Sequence, residues 1–178
     1  MGGKLEKGLV QVYTGNGKGK STASFGLAVR AVGGGLKVYI IQFLKTGIDY
    51  GEIVALSRFE PELCIKSFGR KGFIRGTGPT DQDFQLAEEA FALARQVARE
   101  GKVDLLILDE INTALYFKLL KLEEVLDFLA HKPEDLEVVL TGRYAPQEII
   151  EAADLVTEMR MIKHPYEKGI AARKGIEF

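Results

Sequence analysis

The sequence predicts an α/β domain: a doubly wound, mostly parallel sheet flanked by helices. Three observations carry that prediction. Short runs rich in Val, Ile and Leu alternate with helix-like stretches along the 178 residues. The runs are apolar without a strict in/out alternation, as strands covered on both faces must be. The first run leads straight into a cluster of three glycines and two lysines, Gly15 to Lys20, with small residues behind it.

Taken in order, "LVQVYT" (9–14) is the first strand, and Ser21 to Val32 reads as a helix that Gly33-Gly34-Gly35 stops. "KVYIIQF" (37–43) is the second strand and "LCIKSF" (63–68) a weaker one. The stretches 44–52 and 69–79, both rich in glycine and charge, are expected to be exposed. Asp81 to Glu100 is the longest helix, opened by Thr80 with Asp83 three residues on, a capping-box pattern. Its Phe84, Ala87, Phe91, Ala94 and Val97 recur at steps of three and four and form one buried stripe. "VDLLILD" (103–109) is a further strand. Leu122, Val125, Leu126 and Leu129 mark a helix ahead of Pro133, "LEVVLT" (136–141) a strand, and Pro146 the start of another helix. "LVTEMRMI" (155–162) completes the set. The expected organisation is a single domain over 1–178 with residues 1–8 as a flexible lead-in.

Composition narrows the function classes. The 24 basic and 25 acidic side chains leave a net charge of −1, which gives no electrostatic footprint for nucleic acid or an anionic membrane. No apolar run approaches the roughly 18 residues of a membrane span. "MGGKLEKG" has neither the apolar core of a secretion signal nor the Ser/Thr of a myristoylation signal. Cys64 is the only cysteine, which excludes an intrachain disulfide and fits a reducing cytoplasm. Its surroundings suggest a small core residue.

The chemistry starts at "GNGKGKST". Gly19-Lys20-Ser21 has the G-K-[ST] ending of a phosphate-binding loop, although the first glycine of the strict pattern is replaced by Thr14. Gly15, Gly17 and Gly19, with Asn16, Lys18 and Thr22, keep the physics. Glycines let successive backbone N–H groups converge on phosphate oxygens, and the helix that follows points its positive end at the same place. Lys20 is placed to reach terminal phosphates and Ser21 to ligate Mg²⁺. The strand "LLILD" delivers Asp109-Glu110 to the carboxyl end of the sheet, where ligands collect. With the loop upstream, this pair is expected to hold Mg²⁺ rather than only to cap the next segment. Loop and pair together indicate a nucleoside triphosphate with Mg²⁺. Arg143, just past "VVLTG", either faces that ligand or is solvated, and spacing does not choose. For Arg30, nine residues into the first helix, a surface role is the default. His131 and His164 lack the spacing of a zinc set.

The spelling of these motifs goes further. "TGNGKGKST", "A-x-R-A-x-G" at 28–33, "QF-x-K" at 42–45, "LDE" at 108–110, "LKLEEVLDFL", "LTGR" at 140–143, "ADLVTEM" at 153–159 and "KHPYEKGIAARKGIEF" occur in order. Over residues 8–178 the chain resembles the P-loop ATP:cob(I)alamin (corrinoid) adenosyltransferases. The resemblance implies a RecA-like P-loop fold, usually a homodimer, that moves the 5′-deoxyadenosyl group of ATP to reduced cobalt and releases triphosphate. It implies a reduced flavoprotein as electron donor. It matches Lys20 and Ser21 to the family's loop residues, Glu110 to its acidic metal ligand and Arg30 to its helix arginine. Gln42 and Arg143 fall within its motifs and are carried over as nucleotide-site residues. Where well-known members read "GFTW", with two aromatics that help strip the lower ligand from cobalt, this chain reads "GFIR". Phe73 is kept as the corrinoid-contacting aromatic and Arg75 replaces the second.

The main competing reading is a small-molecule kinase on the same fold, with Arg70, Lys71 or Arg75 in a basic lid at 69–79. A kinase yields ADP and the adenosyltransferase yields triphosphate. A non-catalytic nucleotide switch would consume no ATP.

Overall fold

A computed structural model of the protein describes residues 4–47, 50–72, 74 and 78–177. Its centre is a six-stranded sheet built from β1 (Val10–Thr14), β2 (Val38–Phe43), β3 (Leu63–Phe68), β4 (Leu105–Asp109), β5 (Glu137–Thr141) and β6 (Leu155–Glu158). The spatial order is β3-β2-β4-β5-β1-β6, and every pairing is parallel. The helices are α1 (Lys20–Gly33), α2 (Gly51–Leu56), α3 (Asp81–Glu100), α4 (Ile111–Tyr116), α5 (Leu122–Ala130) and α6 (Gln147–Ala152). This is the doubly wound α/β architecture expected.

Side-chain parity divides the core in two. Val38, Ile40, Leu105, Ile107 and Val139 pack on one face against Phe25, Ala28 and Ala31 of α1. Ile41, Leu106, Leu108, Val138 and Leu140 point to the other face, where α3, α5 and α6 cover them. There Phe91 and Phe128 meet edge to face at 5.7 Å between ring centroids. That parity also decides where the polar strand ends go. Gln42, Asp109 and Thr141 continue the α1-facing rows of three adjacent strands, and the register sets Gln42 beside Asp109. All three are fully buried.

Several expectations are corrected. The last strand stops at Glu158 instead of running to Ile162, because the backbone beyond it bonds to the glycine loop: Met159 N–H donates to Thr14 O and Gly17 N–H to Met159 O. As the sheet's edge, β6 is exposed on both faces, with Leu155 and Val156 at 43 % and 40 %. Phe84 is exposed at the start of α3, while Ala90 and Ala98 join the buried stripe. The stretch 44–52 is not simply solvated, since Lys45 is largely buried and Gly51 opens α2. Cys64 is half-buried on edge strand β3. Gly8 packs so closely on Leu136 that a Cβ would fall 2.1 Å from its carbonyl carbon.

Candidate active site

At the carboxyl ends of the strands lies a cavity of about 870 Å³. Its floor is the loop Gly17–Thr22, one wall carries Lys45 and Tyr50–Glu52, the opposite wall Glu110 and Arg143, and the rim His164 and Gly175–Glu177.

The loop owes its shape to the first and last strands together. Gly15 has φ 94° and lies where a Cβ would sit 2.5 Å from Met159 O; a Cβ on Gly17 would sit 2.7 Å from the same oxygen. Only glycine lets this backbone pass so close. The Gly17 N–H is bonded to Met159 O (2.7 Å), and Met161 N–H donates to Asn16 Oδ1 (3.0 Å). Gly17 and Asn16 thus fasten the loop to the chain leaving β6. Thr14, where the strict pattern has glycine, still belongs to β1, and its hydroxyl accepts from Ala145 N–H (3.3 Å).

Lys20 reaches under the loop and donates to Gly15 O (2.9 Å) and Gly17 O (2.8 Å). Burial pushes its ammonium below the usual lysine range; Glu110 and Asp109 pull upward and Arg143 downward. Lys18 instead faces the rim, donating to Ile176 O (2.9 Å) and pairing with Glu177 (3.1 Å). Arg173 holds the Glu177 carboxyl down to about 2.

Glu110 begins α4 with φ 68°. Its N–H donates to Thr141 Oγ1 (3.0 Å), and its Oε2 accepts from Thr113 Oγ1 (2.6 Å). Its side chain makes no backbone capping bond, and the residue lines the cavity. The Thr113 hydroxyl also accepts from Arg143 N–H (3.1 Å), which ties Glu110 and Arg143 together through α4.

Asp109 differs from its neighbour. It is fully enclosed and does not line the cavity. Lys45 Nζ stands 2.7 Å from its Oδ2, Gln42 Nε2 donates to the same oxygen (3.1 Å), and Thr141 Oγ1 donates to Oδ1 (2.7 Å). Burial alone would raise the carboxyl's pKa; Lys45, Thr141 and Ser21 outweigh it and hold it low. For Lys45 the balance mirrors this: burial would lower it, but Asp109, with Glu110 and Glu52, keeps it raised. Gln42 is in turn held by Ser67 Oγ (2.7 Å).

Of the residues singled out from sequence, Gly17, Lys18, Gly19, Lys20, Ser21, Thr22, Glu110 and Arg143 line one cavity. Gly15, Asn16, Gln42 and Asp109 support it from behind. Arg30 is exposed in the last turn of α1, about 15 Å along the helix from Lys20, and lies outside the lining. Phe73, with Arg75, lies outside the described residues. Arg70, named for the basic lid, is paired with Asp83 at the start of α3 (2.8 Å) and does not line the cavity. Sequence reasoning missed Lys45, Tyr50 and the rim residues. The "QF-x-K" motif was the signal for Lys45, but the adjacency of β2 to β4 that gives it a partner is not written in the chain.

The family model for "ATP:corrinoid adenosyltransferase BtuR/CobO/CobP" matches residues 6–178. The chain belongs to the ATP:corrinoid adenosyltransferase family. It is 42% identical over 173 residues to the corrinoid adenosyltransferase of Pseudomonas aeruginosa, covering 97% of this chain and 85% of that protein. The corrinoid adenosyltransferase of a Sinorhizobium species is 41% identical over 174 residues (97% and 81%), and that of Escherichia coli K12 36% over 173 (97% and 87%). The family match spans the glycine loop, both cavity walls and the rim. No helix among the described residues is long and apolar enough to cross a membrane.

Proposed function

We propose that this protein transfers the 5′-deoxyadenosyl group of ATP to the reduced cobalt of a corrinoid, releasing triphosphate, in the synthesis or salvage of adenosylcobalamin. One observation carries the reading: Lys20, Ser21 and Glu110 line a single cavity in a chain that matches the family from residue 6 to 178.

The arrangement suits a reaction whose nucleophile needs no activation by the protein. Reduced cobalt brings its own electron pair, so the chain must align C5′ of ATP and stabilise the charge on the departing triphosphate. Alignment alone accounts for several kcal/mol in reactions of this type. Lys20 donates to two loop carbonyls, which leaves one N–H for the polyphosphate, and Arg143 adds a second positive group to the cavity lining. Gly15 and Asn16 hold the loop's shape. Gln42 and Asp109 act from beneath it. Lys18 meets the polyphosphate at the rim.

The donor set fits Mg²⁺. Ser21 Oγ and the Glu110 carboxylate are hard oxygen donors lining the same cavity, and Mg²⁺ takes one or two such ligands plus phosphate oxygens and water. When bound there, it supplies charge neutralisation to the phosphate oxygens. Phe73 is assigned to the corrin face, where an apolar ring excludes water and the displaced lower ligand. Partners are a reduced flavoprotein as electron donor and a second copy in a homodimer, in a reducing cytoplasm consistent with a lone cysteine.

The test is incubation with ATP, Mg²⁺, a strong reductant and hydroxocobalamin, followed by absorbance of the cobalt–carbon product and analysis of the phosphate product. Adenosylcobalamin with one equivalent of triphosphate supports the reading. ADP as the product would return the protein to the kinases.

A further inference from the structure

Lys45 belongs to a sequence motif but to none of the roles above. It stands two residues past β2, after Leu44, whose φ of 60° is left-handed backbone that a branched apolar residue rarely adopts. That turn carries Lys45 over the ends of the strands. Its ammonium lies 2.7 Å from Asp109 Oδ2 and 3.3 Å from Ser21 Oγ, with the rings of Phe25 and Tyr50 at 5.9 and 5.8 Å. An ammonium has three N–H donors. Asp109 and Ser21 take two, and Lys45 lines the cavity beside Lys20, which leaves the third for an acceptor inside it. Asp109, by contrast, has both oxygens occupied by Lys45, Gln42 and Thr141 and no surface in the cavity.

We propose that Lys45 is a further triphosphate-contacting cation of the adenosyl transfer, and that Asp109 is the positioning residue that holds it, not a ligand of a divalent ion. The proposal rests on the nucleotide reading above. As the cobalt electron pair forms the Co–C5′ bond, the C5′–O bond breaks and its electron pair stays on the triphosphate oxygen. Negative charge therefore grows on the leaving group, where a cation already fixed in a partly dry site stabilises it most. The two rings limit water around the ammonium, and the Asp109 pair keeps it charged there. A lysine present only to neutralise Asp109 would need no surface in the cavity.

The experiment is titration calorimetry with inorganic triphosphate in EDTA, on wild type, Lys20→Ala, Lys45→Met, Asp109→Asn and the Lys45→Met/Asp109→Asn double variant. The double variant removes both charges at once, so no buried ion is left unpaired, and thermal melts establish its fold. Lys45→Met is expected to weaken triphosphate binding about tenfold or more, the order of one lost charged contact. Asp109→Asn should weaken it several-fold without any metal present, and the double variant should bind no more weakly than Lys45→Met alone, since Asp109 acts only through Lys45. Wild-type affinity in the double variant overturns the contact and leaves Lys45 a counter-ion. Additive losses overturn the positioning role of Asp109. Triphosphate binding that is absent from wild type, or present there and unchanged by Lys20→Ala, overturns the nucleotide reading itself, a result distinct from the other two.

Discussion

Replacing Thr141 by valine should damage the site's foundations while leaving its lining untouched. The fully buried Thr141 hydroxyl donates to Asp109 Oδ1 at 2.7 Å and accepts from Glu110 N–H at 3.0 Å. Valine has nearly the same shape and neither capability. Losing a hydrogen bond to an ionised carboxylate costs about 1.5–3 kcal/mol, and leaving the Glu110 N–H unpaired in a half-buried position about 1–3 more. The extra apolar methyl group returns roughly 0.8 kcal/mol. The net expectation is about 2–5 kcal/mol, or a fall in Tm of about 4–20 °C at the roughly 2–4 °C per kcal/mol of a chain this size. Thr141→Ser retains the hydroxyl and should cost only about 1 kcal/mol for the lost methyl. Urea unfolding of the three proteins, with equal m-values, measures the difference. If Thr141→Val is as stable as Thr141→Ser, the hydroxyl bridge between Asp109 and Glu110 contributes nothing and the reasoning fails.

Other expectations can be checked alongside it. Lys20→Ala should fold normally but lose about 2–4 kcal/mol of transition-state stabilisation, a drop in kcat/KM of about one and a half to three orders of magnitude by steady-state kinetics. Glu110→Gln should raise the Mg²⁺ concentration needed for half-maximal rate, with an unchanged requirement returning the residue to a structural role. The Asp109 carboxyl is held below its unfolded-state value, so its contribution is present above that value, near 4, and is lost as pH falls through the lower folded-state value. Denaturant unfolding between pH about 5 and 2 should therefore show a shallower acid slope in Asp109→Asn than in wild type, and identical slopes would count against the buried pair.

Much of the frame was legible because burial on two faces leaves a strong trace. "LCIKSF" and Asp81–Glu100 fall where apolar content and the Thr80–Asp83 start put them. "LVTEMRMI" misled because apolar composition does not distinguish a central strand from an edge strand that ends by bonding to a loop 140 or so residues earlier. The loop residues from Gly17 to Thr22 were readable from local chemistry alone. The pairing of Lys45 with Asp109 was not, because it depends on β2 lying beside β4, and strand order is a tertiary outcome. Arg143 could not be settled by spacing. It reaches the cavity because its N–H is anchored to Thr113 on a different element. Arg30 shows the converse: a motif match at ten residues from the loop lands on an exposed helical turn.

The fastening of the glycine loop to Met159 and Met161 carries a consequence for how the protein is made. During translation, residues 15–22 leave the ribosome well before the acceptor for the Gly17 N–H, on Met159, and the donor for Asn16, on Met161. β1 gains its second neighbour, β6, at the same late moment. A nascent or clipped chain lacking Met159 has the full spelling of the loop but not the backbone that shapes it, so it cannot present a finished nucleotide site. Nucleotide binding is then coupled to completion of the fold. Cellular ATP stabilises finished molecules by mass action and gives no such protection to unfinished ones, which remain open to proteolysis.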